Sequence, residues 1–267
     1  MDGKRSCQKQ EDSPAKPLAF ESDICFTYDG SLAGFYCCVY ESVYEKQLPL
    51  AICADGNDAP MLLQRRVPTD AEKAVKVRKA VAQKIGVRAL ELVETVFLTH
   101  LQNKELYMLR FLLRGFREGS KITQMLSDPD IATLLAAEKH LGGERHLLLG
   151  FIRFSDYNGK LVATIKPKNF VLPTIRDHFV ARYPNEDFLI YDRTHKAALL
   201  YENKSCRILF IEELPTFEAS PEEERYRALW KQFYHTLAIE ERYNPICRRT
   251  HMPKRYWSEM TEMRELL

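Results

Sequence analysis

The spacing of apolar side chains divides the chain into two kinds of pattern. Up to about residue 143 they recur mostly every three or four positions, the period of one helix face. Beyond it, short apolar runs bounded by turn residues take over, as expected for strands. Near the start, Ile24–Tyr28 and Leu48–Cys53 are short strand patterns. Between them, the Asp29-Gly30 turn and the hydroxyl of Ser31 open a helix whose Leu32, Phe35, Tyr36, Val39, Tyr40 and Val43 share a face. Residues 55–66 carry no such pattern and are expected to form a loop. Thr69 and Glu72 follow Pro68 as a capping-box pair for a helix to about Ile85. Helices over Val87–His100 and Lys104–Glu118 come next. Ser127-Asp128-Pro129 opens another, with Ile131, Leu134 and Leu135 on one face, and Gly142-Gly143 should end it.

The later segments read differently. Leu147–Phe154 and Leu161–Lys166 are strand-like and joined by a turn at Tyr157-Asn158-Gly159. Pro173–Tyr183 is helical, with Ile175 and Phe179 inward. Phe188–Asp192, Ala197–Tyr201 and Arg207–Ile211 make a meander with turns at Thr194-His195 and Asn203-Lys204. The last helix is capped by Ser220, has Pro221 in its first turn and places Glu222, Glu223 and Glu224 at the positive end of its dipole. Tyr226, Leu229, Trp230, Phe233 and Leu237 line one of its faces, and Tyr243-Asn244-Pro245 ends it.

Helices first and antiparallel strands later give an α+β class, not a doubly wound parallel sheet. The expected organisation is one domain over 22–267. It has a helical part to about 143, a sheet of about five strands over about 144–215, and a C-terminal amphipathic helix with a basic segment over 216–267. Residues 1–21 are polar and mixed in charge. Lacking the apolar centre of a signal peptide, they are expected to form a disordered tail.

Composition adds little until charge is mapped. The net charge of +2 gives no bulk attraction to a polyanion. Yet residues 145–182 carry +5 and residues 183–224 carry −6, an asymmetry that suits one basic face or merely a solvated one. No apolar run approaches the roughly 20 residues of a membrane helix. Seven cysteines, odd in number and irregularly spaced, fit reduced and mostly buried thiols of a cytoplasmic protein better than a disulfide framework.

The segment NPICRRTHMPKRYW (244–257) is the most informative for chemistry. Arg248, Arg249, Lys254 and Arg255 suit phosphate contacts, and Tyr256 or Trp257 suits stacking on a base. The bland alternative is a solvated turn whose aromatics pack inward. Arg153, Lys166 and Lys168 extend the candidate surface, or simply guard a sheet edge. Cys247 and His251 form half of a metal-ligand spacing without a partner pair, so no metal or cofactor is expected. No nucleophile elbow, phosphate-binding glycine loop or zinc-protease motif is present, and His140, His146, His178 and His195 read as ordinary surface or core histidines.

Four segments in order carry a resemblance beyond composition: YDGSLAGFYCCVYESVY (28–44), HLLLGFIRF (146–154), IKPKNFVLP (165–173) with DHFVARYP (177–184), and NPICRRTHMPKRYW (244–257). Together they resemble a bacterial family of DNA metabolism or repair proteins, over about residues 24–262. The resemblance implies a gene neighbour encoding a radical S-adenosylmethionine protein that modifies or repairs DNA, and hence that protein as partner. It also implies kinship with a module fused ahead of uracil-DNA glycosylase-like domains. It brings no catalytic residues. The expected function is therefore a DNA-binding accessory protein, not catalytic on its own. The alternatives are an enzyme on nucleic acid or nucleotides with an unrecognised site, using His146 or His251, and a protein–protein scaffold for the partner.

Overall fold

The computed structural model describes residues 20–56, 61–214 and 219–264. Most of the tail expected over 1–21 lies outside those residues, although its last two belong to a strand. The chain gathers into two compact units: one running to Glu91 and taking in Glu105–Ile131, the other made of Leu92–Lys104 and the chain from Ala132 onward.

In the first unit, β1 (Phe20–Tyr28) leads through α1 (Leu32–Glu45) to β2 (Gln47–Ala54), and β3 (Leu63–Arg66) completes a parallel sheet of order β2-β1-β3. Parallel neighbours need a crossover, and α1 supplies one between β1 and β2. Ser31 caps α1 by accepting the Gly34 N–H at 2.9 Å, and Asp29 Oδ1 in turn accepts the Ser31 N–H at 2.9 Å. A Cβ on Gly34 would sit 2.3 Å from that carboxylate oxygen, so only glycine fits.

Strand β3 corrects the expected loop. Leu63, Gln64 and Arg66 are exposed and Arg65 is half-buried, so no apolar alternation marks the segment; backbone pairing with β1 makes it a strand. Helix α2 (Ala71–Lys84) is capped by Asp70, not Thr69, through the N–H groups of Glu72 and Lys73. Helix α3 (Val87–Phe97) stops earlier than expected, with the Lys104 ammonium on the carbonyls of Phe97 and Thr99. Helix α4 (Lys104–Glu118) has the expected bounds.

The largest departure is α5 (Pro129–Phe151). It passes straight through Gly142-Gly143 and takes in Leu147–Phe151, which had the look of a strand. Both glycines are exposed with open space where a Cβ would be, so neither is forced by packing. A continuous apolar run fits a buried helix as well as a strand.

The second unit holds a sheet of the expected five strands, in the order β4-β5-β6-β7-β8, with β4 in place of the strand expected over Leu147–Phe154. Strand β4 (Ser155–Tyr157) turns into β5 (Lys160–Ile165) through Asn158 and Gly159, both at positive φ. Helix α6 (Leu172–Arg182) crosses over to β6 (Phe188–Asp192), which therefore runs parallel to β5. Strands β7 (Ala197–Glu202) and β8 (Ser205–Phe210) add antiparallel hairpins. The fold class is the α+β one the pattern implies, with mostly antiparallel pairing here and a small parallel sheet added in the N-terminal half.

The core of this unit packs Ile165, Ile175, Phe179, Ile190 and Leu199 with Trp257 and Met260. Helix α7 (Pro221–Leu237), capped by Ser220, is tied to β4 by polar contacts: Glu223 accepts the Asp156 N–H at 3.1 Å, and Arg227 donates to Ser155 at 2.8 Å. Its Tyr226, Leu229, Phe233 and Leu237 remain exposed. It ends well before Tyr243. Asn244 instead caps a further short helix, α8 (Pro245–His251), followed by a 3-10 segment over Lys254–Glu259.

Candidate nucleic-acid interface and its buried carboxylates

Three glutamates fasten the basic residues of the second unit. Glu262, on the last described turn, accepts from Arg153 Nη2 at 2.7 Å and from Trp230 Nε1 at 3.0 Å, with the Arg153 guanidinium lying over the Trp230 ring. Glu259 pairs with Lys166 at 3.3 Å and Arg193 at 3.7 Å. Glu144, on α5, is as enclosed as Glu262, each side chain being 1% exposed. Its Oε1 accepts from the Lys168 N–H (2.9 Å), Arg255 Nη2 (2.8 Å) and the Tyr256 hydroxyl (2.8 Å). Its Oε2 accepts from the Asn169 N–H (2.8 Å) and Asn169 Nδ2 (2.7 Å).

Burial alone would raise the Glu144 carboxyl, but the two backbone N–H groups, Tyr256 and Arg255 outweigh it and hold the group below the ordinary carboxylate value. The same balance holds for Glu262, where Arg153 and Trp230 oppose the desolvation. Burial, then the charge of Glu144, pushes the Tyr256 hydroxyl up, so it stays a donor.

The nine expected contact residues therefore divide. Arg153, Lys166 and Arg255 are engaged in ion pairs within the unit. Tyr256 and Trp257 are each 3% exposed and belong to the core, so neither offers a ring face to a base. Trp257 also donates its indole N–H to the Met252 carbonyl at 2.9 Å. Lys168, Arg249 and Lys254 are exposed. Arg248 is half-buried, stacked over the rings of Tyr243 and Trp257, and Lys254 lies over Trp257 as well. Arg255 and the Lys168 backbone N–H meet on one oxygen of Glu144, which ties the C-terminal segment to the loop after β5.

Asn169 carries the network outward. Its Nδ2 donates to the acceptor-only carboxylate, so its Oδ1 must be the acceptor. That oxygen takes the His100 N–H at 3.0 Å and faces His100 Nδ1 at 2.8 Å. The remaining Nδ2 hydrogen meets His140 Nδ1 at 3.2 Å. The two exposed imidazoles lie 5.2 Å apart between ring centres. A third histidine, His195, binds buried Asp192 through Nδ1 at 2.6 Å, while the other oxygen of that carboxylate accepts the N–H groups of Thr194 and His195. The loop bearing Asn169 follows β5 and the turn bearing His195 follows β6. Both therefore sit at the carboxyl ends of the two parallel strands, a common place for sites in α/β arrangements.

The cluster around Asn169 was not foreseen. His140 and Glu144 stand four apart on one helix face, a legible signal only once α5 is known to continue past its glycines. His100 and Asn169 come from loops far apart in sequence, and no local spacing links them. Among the described residues, no three His, Cys, Asp or Glu side chains converge as a metal site, and no helix is long and apolar enough to cross a membrane.

No curated protein matches the chain. Among solved structures, the pGpG-specific phosphodiesterase PggH from Vibrio cholerae is similar to it at 11% identity and a TM-score of 0.30, over 67% of this chain and 81% of that one. A likeness so faint carries no argument about fold or activity. A family model described as Domain of unknown function (DUF4130) matches residues 102–262, more than half of the chain. The chain belongs to the DUF4130 family.

Proposed function

We propose that the chain is a DNA-binding protein of the cytoplasm that serves a radical S-adenosylmethionine partner enzyme in DNA repair or modification. The observation that supports the DNA part is the meeting of Arg255 and the Lys168 backbone on Glu144. It joins the C-terminal basic segment to the basic loop after β5 within one unit. Lys168, Arg248, Arg249 and Lys254 are then the phosphate-contacting groups, and Arg153, Lys166 and Arg255 are struts that hold the segment in place. Affinity falls steeply with salt on this reading, because each phosphate contact releases counterions. Fluorescence anisotropy with single- and double-stranded DNA at two salt concentrations tests it. No binding to either probe, alone or with the partner enzyme present, removes the reading.

The partner part rests on the family resemblance and on α7. A stripe of exposed apolar side chains along a helix already fastened through Glu223, Arg227 and the partly buried Tyr234 suits a protein interface better than a solvated face. Co-purification of the two proteins, lost on Leu229→Asp, is the expected result.

A further inference from the structure

The hydrogen bonds around Asn169 set the two histidines in opposite tautomers. The Asn169 amide is oriented twice over: Nδ2 donates to Glu144, and Oδ1 accepts the His100 N–H. Since Oδ1 only accepts, His100 Nδ1 carries the proton that faces it, and its Nε2 is left with a lone pair. Since Nδ2 only donates, His140 Nδ1 accepts, and in the neutral ring the proton sits on Nε2. Both rings are anchored through Nδ1 to the same amide, so both Nε2 atoms face away from it, and both residues are exposed. One protein surface thus presents a proton acceptor and a proton donor on rings whose centres are 5.2 Å apart.

We propose that His100 and His140 form a general base and general acid pair that cleaves a DNA strand at an embedded ribonucleotide. This rests on the nucleic-acid reading above, and it names the substrate. In the reaction, His100 Nε2 takes the proton of the 2′-hydroxyl, whose oxygen bonds to the adjacent phosphorus. The bond from phosphorus to the 5′-oxygen of the next nucleotide breaks as His140 Nε2–H protonates that oxygen. The products are a 2′,3′-cyclic phosphate and a 5′-hydroxyl, with no further reactant consumed. A base and an acid together supply only part of a phosphodiester barrier, each about 10²- to 10⁴-fold. A neighbouring hydroxyl adds the effective concentration of an intramolecular attack, which a water molecule lacks. That difference selects a strand with a 2′-hydroxyl over plain DNA. Lys168, exposed and next to Asn169 in the chain, is a cation available for the phosphate. Asn169 and Glu144 are positioning residues that touch no substrate.

The test uses the full chain and a fluorescent DNA oligonucleotide with one ribonucleotide, beside the same sequence in DNA alone, with anisotropy and product analysis on the same samples. A dinucleoside-free substrate, a nucleoside 3′-(p-nitrophenyl phosphate), is assayed in parallel, because its leaving group needs no proton. The expected result is cleavage only at the ribonucleotide and a cyclic phosphate end. His100→Ala should lose about 10²-fold or more on both substrates. His140→Ala should lose as much on the oligonucleotide but keep most of its rate on the nitrophenyl ester, which a merely structural role would not produce. Both rings are exposed, so neither truncation opens the core. In ¹⁵N-resolved NMR of the histidines, His100 should show its proton on Nδ1 and His140 on Nε2. Oligonucleotide binding without turnover of either substrate overturns the inference and leaves the binding reading standing. Turnover of the ester without oligonucleotide binding keeps the acid–base chemistry of the pair but removes the binding reading, and with it overturns the DNA substrate. Equal cutting of both oligonucleotides, or activity surviving in the double variant, also overturns the inference.

Discussion

Asn169 Oδ1 lies 2.8 Å from His100 Nδ1, and the amide that holds it there is itself held by Glu144. An exposed imidazole is thereby oriented from a buried carboxylate two side chains away. The arrangement is firm only as long as the carboxylate stays charged and fully bonded, because a buried carboxylate missing its donors is costly.

Glu144→Ala should destabilise the chain by about 3 kcal/mol, since it strands the N–H groups of Lys168 and Asn169 and the Tyr256 hydroxyl in a buried place. Arg255→Ala should cost less, about 1–2 kcal/mol, because four donors to Glu144 remain and the guanidinium is partly exposed. Urea unfolding midpoints compare the two. Equal losses would mean that the guanidinium, not the backbone N–H groups, sustains the carboxylate.

Stability should fall in acid through Glu144 and Glu262. Both folded carboxyls lie below the ordinary value of 4.5, so the unfolded chain binds protons first as pH drops. Their contribution is present above about pH 4.5 and is lost as pH falls through the lower folded values. Glu262→Gln should flatten this acid limb of a plot of urea midpoint against pH. An unchanged limb would remove Glu262 from the account.

Arg249→Ala and Lys254→Ala should each weaken DNA binding similarly across sequences and reduce the salt slope by about 1. Arg153→Ala should leave that slope unchanged and lower the melting temperature, because its guanidinium is occupied by Glu262. Anisotropy titrations over a range of salt, with melting curves on the same proteins, separate the two effects.

Gly142→Ala should stabilise the chain by about 0.5–1 kcal/mol. The position is helical and exposed, with nothing near the added methyl, so the gain comes from the lower entropy of the unfolded chain. A loss instead would mean that the helix needs the glycine for a reason its surroundings do not reveal.

Strands β5 to β8 of the second sheet were legible because they are bounded by residues that favour a turn, such as Asn158-Gly159 and Asn203-Lys204, all at positive φ; β4 was not, since the run ahead of it that reads as a strand belongs to α5. The caps Ser31 and Ser220 were legible for a similar reason, a hydroxyl ahead of an amphipathic run. Strand β3 and the second half of α5 were not. One has no apolar alternation, and the other hides behind two glycines that usually stop a helix. Missing that continuation also concealed that His140 and Glu144 share a face.

The sequence by itself determined the class, most element positions and the gathering of cations near the carboxyl terminus, because local propensity and short-range spacing suffice for those. Which of the cations stay available and which are taken up by Glu144, Glu259 and Glu262 was decided only by tertiary structure. The reason is that each of these bonds closes a long loop: Arg255 and Glu144 stand 111 positions apart, and Arg153 and Glu262 stand 109 apart. No pattern within a helix or strand reaches so far, and the pairing of His100 with His140 across one amide was equally a product of the fold.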